Sequence, residues 1–82
     1  MGIREDFARN LRRIRHEKGF SQEALANEAE IDRTYISALE RGVYSASLTM
    51  LEKLADVLSV EPAALIQRSS APPKKRRRSL DR

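Results

Sequence analysis

DRTYISALERG, residues 32–42, has the spacing of a helix in which only Ile36 and Leu39 are plainly core-type residues. A wheel at 3.6 residues per turn puts Ile36, Leu39 and the stem of Glu40 on one side. The opposite arc runs Arg33, Ser37, Arg41, Thr34, Ala38. It holds two guanidinium groups, two hydroxyls and a methyl, and no carboxylate. Those groups match the edges and phosphates of a DNA groove: arginine pairs with guanine or phosphate, hydroxyls bond either, and alanine meets a thymine methyl. A solvated helix face can have the same composition, so the flanking residues decide between the two.

On the N-terminal side, SQEALANEA begins with Ser21, a good N-cap, and places Glu23 at the positive end of a helix dipole. Leu25, Ala26 and Ala29 form a narrow inner face that lets another helix cross closely. Glu30 and Ile31 make a short turn, Asp32 caps the next helix, and Gly42 closes it. Residues 21–42 therefore have the layout of a helix-turn-helix. Further upstream, Ile3, Phe7, Leu11 and Ile14 form one apolar stripe, ended by Gly19. Downstream, after the loop VYSAS, Ser47 caps a fourth helix whose expected buried face is Leu48, Leu51, Leu54, Ala55 and Leu58. Pro62 starts a fifth short helix, PAALIQ. The expected fold is all-α: five helices over residues 1–67, then a tail, 68–82, that is polar, Pro-containing and expected to be disordered.

Charge divides the chain in the same place. The net +4 conceals a tail with seven basic residues and one acid, net +6, and a body of net −2. A body that binds DNA must do so with a locally arranged patch and not with bulk charge. There is no Cys and only one His, so cysteine-based metal, redox and disulfide chemistry is excluded. With no Gly-rich phosphate loop and no paired-carboxylate pocket, the sequence offers little with which to build an enzyme, a metal site or a cofactor site. No apolar run reaches membrane-spanning length and MGIREDF does not read as a signal peptide, so the expected location is the cytoplasm.

SQEALANEAEIDRTYISALERG followed by SLTMLEKLADVLSVEPAALI resembles the lambda-repressor-like (Xre) helix-turn-helix family, over roughly residues 3 to 67. Within it the chain looks closest to small stand-alone regulators, including the controller proteins of restriction–modification systems. The resemblance implies that Gln22 touches DNA backbone or supports a base-reading residue. It implies that Arg33 and Thr34 read bases with Tyr35 beside them, that Ala38 faces the groove, and that Ser37 and Arg41 meet phosphate. It also implies a buried ion pair between Arg15 and Glu40, which accounts for a Glu at the edge of an otherwise acid-free helix. Two departures stand out. Glu30 occupies a turn position where the family usually has Gly, and the loop of Val43, Tyr44, Ser45, Ala46 and Ser47 lacks the usual basic residues. Tyr44 and Ser45 are nevertheless assigned to DNA.

The expected function is a sequence-specific regulator of transcription that binds double-stranded DNA as a homodimer on a pseudo-palindromic operator, with recognition helix 33–41 in the major groove. Met50, Val57, Val60, Leu65 and Ile66 exceed what one small core needs and are the candidate dimer interface; each has completion of the monomer core as its alternative. A second reading is an antitoxin-type component that also binds DNA and grips a protein partner. The run KKRRR leaves three roles open: DNA affinity without specificity, a protein contact, or solubility.

Overall fold

The computed structural model describes residues 2–68; the tail expectation lies, for 69–82, outside the described residues. The described chain forms five helices: α1 (Ile3–Glu17), α2 (Gln22–Ala29), α3 (Arg33–Glu40), α4 (Leu48–Leu58) and α5 (Pro62–Ile66). The third ends one residue before the expected 41, because Arg41 is its C-cap.

Local chemistry sets each boundary. The hydroxyl of Ser21 accepts the Ala24 amide at 2.9 Å, and that of Ser47 accepts the Met50 amide at 3.1 Å. The Asp32 carboxylate takes the Thr34 amide at 3.0 Å. Each satisfies an N–H that has no partner inside its own helix. The first four helices end alike, with one residue in the left-handed region and the following amide bonded five residues back: Phe20 to Arg15, Ile31 to Ala26, Val43 to Ala38 and Val60 to Ala55. Gly19 and Gly42 adopt that conformation at little steric cost. Glu30 (φ 60°) and Ser59 (φ 59°) hold it at a cost of roughly 1–2 kcal/mol each.

The helices wrap one core. Phe7, Leu11 and Ile14 of α1 meet Leu25, Ala26 and Ala29 of α2, Ile36 and Leu39 of α3, Leu51, Leu54, Ala55 and Leu58 of α4, and Leu65 of α5. Helix α1 lies against α3 and α5, and α2 lies against α3 and α4. Asn10, 1% exposed, donates its amide to the carbonyls of Leu65 (3.1 Å) and Gln67 (2.6 Å). It thereby satisfies the C-terminal end of α5 and ties it to α1.

Three core and interface assignments are corrected. Ile3 is 65% exposed and Leu48 is 83% exposed. Each is the first residue of its helix, where the apolar stripe runs past the edge of the core. Leu65 is fully buried within the chain's own core, so it is not available to a second copy. Ile66 stays exposed, while Met50, Val57 and Val60 are half-buried at the margin of the core.

Candidate nucleic-acid interface

The position of α3 is set by charge as much as by apolar packing. Glu40 is buried, and both its oxygens are occupied. Arg15 of α1 donates Nε to Oε2 at 2.6 Å and Nη2 to Oε1 at 3.0 Å. Gln22 of α2 donates Nε2 to Oε1 at 3.1 Å. Arg15 also donates Nη1 to the Phe20 carbonyl at 2.8 Å, in the α1–α2 turn. Because a guanidinium can only donate, the 3.1 Å contact between Arg15 Nη2 and His16 Nε2 makes that ring nitrogen the acceptor. One carboxylate thus joins three helices. The pair implied for Arg15 and Glu40 is present, and Gln22 has a partner inside the chain where a DNA contact was one of two expectations.

The other side of α3 is open. Arg33, Thr34 and Arg41 are exposed, Tyr35 and Ser37 are half-buried, and Tyr44 and Ser45 are exposed in the following loop. Asp32, Thr34, Tyr35, Ala38, Arg41 and Tyr44 line a concavity of about 350 Å³. The Tyr35 and Tyr44 rings stand 6.2 Å apart at 35°, so the loop is held against the helix by an aromatic contact. Arg41 donates Nε to the Ser37 carbonyl at 3.4 Å.

Two details differ from the sequence reading. Ala38 is buried, at 5% exposure, and lies in the wall of the concavity instead of projecting from it. The concavity, unlike the arc of helix residues, also includes a carboxylate: the Asp32 cap is part of its lining. That carboxyl is held below its ordinary range, first by the Thr34 hydroxyl, then by the Thr34 amide, with the charge of Arg33 contributing. The Thr34 hydroxyl is therefore already oriented, as donor to Asp32. A residue that caps a helix immediately ahead of the reading positions leaves a sequence signal, Asp-x-Thr, but it indicates a cap and not a shared surface. Among the described residues no helix is long and apolar enough to cross a membrane.

Comparison with known proteins adds to this geometry. The helix-turn-helix model HTH_3 matches residues 11–65. A hypothetical transcription factor of Neisseria meningitidis serogroup B is 42% identical over 64 residues, which cover 78% of this chain and 60% of that relative. The crystal structure of a hypothetical transcription factor from Neisseria superimposes with a TM-score of 0.80 at 40% identity, covering 83% of this chain and 78% of the other. The control protein C.BamHI of Bacillus amyloliquefaciens is 45% identical over 65 residues, covering 78% of this chain and 80% of that protein. The crystal structure of SinR, a master regulator for biofilm formation, in complex with DNA superimposes with a TM-score of 0.71 at 32% identity. It covers 74% of this chain and 98% of the other.

Proposed function

We propose, for a chain that belongs to the HTH_3 helix-turn-helix family and is a DNA-binding transcriptional regulator and not an enzyme, that α3 reads base edges in the major groove. The observation that carries this reading is the division of α3 into a side held by Glu40 and a side that is open and lined with hydrogen-bonding groups. Arg33, exposed at the first turn, is placed to make a paired contact to guanine, with Thr34 beside it. The recessed Ala38 lets a base edge enter between Tyr35, Tyr44 and Arg41. Ser37, Arg41 and Ser45 take phosphates. Gln22 acts by positioning α3 through Glu40.

The partner is a second copy of the chain. Two reading helices one turn of DNA apart, about 34–36 Å, match a pseudo-palindromic site. Ile66, with Met50, Val57 and Val60 of the α4–α5 region, supplies the apolar surface for that contact. We infer a cytoplasmic location, supported by the likeness to regulators of transcription, which act inside the cell. The test is selection of bound sequences from randomised duplexes, followed by footprinting and a count of chains per duplex. The reading expects a two-fold symmetric consensus bound by two chains; equal affinity for all duplexes would overturn it.

A further inference from the structure

The loop after α3, residues 43–47, has no basic side chain, and α3 has none in its last turn before the Arg41 cap. The carbonyl end of a helix is the negative end of its dipole. A DNA phosphate passing the end of α3 therefore needs cations from another element, and α1 supplies them. A second concavity, of about 260 Å³, opens between α1 and the end of α3, with Arg9, Arg12 and Arg41 in its lining. Arg41 also lines the reading concavity, so the two adjoin at that side chain.

The two carboxylates in this lining, Glu5 and Glu40, are both engaged. Glu40 is held by Arg15 and Gln22, and Glu5 accepts the Gly2 amide at 3.1 Å. Arg9 lies 3.5 Å from Asp6. Arg12 has no carboxylate partner among the described residues, and it is exposed. Arg41 engages Ser37 through Nε and not through its terminal nitrogens. Three guanidinium groups in one shallow recess form a donor set suited to the tetrahedral oxygens of a phosphodiester.

We propose that Arg9, Arg12 and Arg41 form a cradle for one backbone phosphate of the bound duplex, beside the bases that α3 reads. The inference rests on the proposed reading of α3 and adds a contact from a helix outside the helix-turn-helix. It assigns to α1 the electrostatic work that the neutral loop does not do. A cradle of this kind adds affinity on every sequence and leaves the preference among sequences unchanged.

The experiment measures DNA affinity against salt for the whole chain, for Arg12→Gln and for Arg13→Gln. Arg13 is the charge-matched control: it lies one residue along α1, its nearest acid is Glu17 at 3.2 Å, and it is not in the cradle. The slope of log K against log salt should fall by about 0.9 for each Arg12 removed and stay unchanged for Arg13→Gln. The preferred sequence and the melting temperature should be the same for Arg12→Gln as for the parent chain, and Arg12→Lys should restore part of the slope. Equal slopes for all three proteins, or equal falls for Arg12→Gln and Arg13→Gln, would overturn the cradle alone. A parent chain that binds every sequence equally, with the Arg12-specific fall intact, would overturn the reading of α3 and leave the cradle standing.

Discussion

The two sides of α3 carry charge in opposite ways. On the inner side Ile36 and Leu39 are fully buried, and Glu40 has donors from α1 and α2 on both oxygens. On the outer side Arg33 makes no hydrogen bond or ion pair among the described residues, and Arg41 makes one long contact through Nε. An eight-residue helix is too short to be stable alone in water. The inner side therefore has to supply its stability, and doing so frees the outer side from structural duty. Charge on the inner side determines where the helix lies; charge on the outer side is left for a ligand.

Substitutions can break or sharpen that division. The largest effect belongs to Glu40→Ala. It leaves the Arg15 guanidinium buried without its carboxylate and should cost about 3–5 kcal/mol, seen as a lower melting temperature. DNA affinity should fall as the folded fraction falls, and further as α3 loses the contacts that position it, while the selected sequence should not change. A variant of unchanged stability with an altered sequence preference would break the division. Next comes Glu30→Gly in the α2–α3 turn. Relief of the left-handed strain, partly offset by greater freedom in the unfolded chain, should raise stability by about 1 kcal/mol. A melting temperature that falls would show that the Glu30 side chain contributes more than its strain costs.

Tyr44→Ala sharpens the comparison, because Tyr44 is exposed yet its ring rests on Tyr35. Loss of the ring pair should cost about 0.5–1.5 kcal/mol of stability and should also weaken DNA binding on all sequences. Calorimetry and a binding titration on the same preparation separate the two losses. The smallest effect is that of Asp32. Its carboxyl is held below its ordinary range by Thr34, so its stabilising contribution is complete above the unfolded carboxylate value and is lost as pH falls through the folded one. The gap in melting temperature between the parent and Asp32→Ala should be constant near neutral pH and close in acid. A gap that widens in acid would contradict the Thr34 assignment.

Most of the helical frame was legible because its signals are local. Ser21, Asp32 and Ser47 act within three residues of themselves, and Gly19, Gly42 and Pro62 limit one backbone position each. The left-handed Glu30 was legible only through a resemblance, and Ser59, which has the same geometry, carried no comparable sign. What stayed hidden depends on distant partners. The role of Asn10 needs the end of α5, more than fifty positions away. Periodicity placed Ile3 and Leu48 in stripes but does not say where the core stops. It could not separate Leu65 from Ile66 either, since adjacent residues of a short amphipathic helix are divided only by what packs against it. On the reading face the residue types were legible, while the recess of Ala38 and the lock between Thr34 and Asp32 were not.

The most direct test of the division of α3 is sequence selection with Arg33→Ala beside the parent chain, each protein's melting temperature being recorded. An outer side free of structural duty predicts an unchanged melting temperature and a loss of about 1–3 kcal/mol on the parent's preferred duplex. It also predicts a consensus that becomes indifferent at one position per half-site and stays intact elsewhere. A variant that melts lower and keeps the full consensus would contradict it, since Arg33 would then support the fold and not read the DNA.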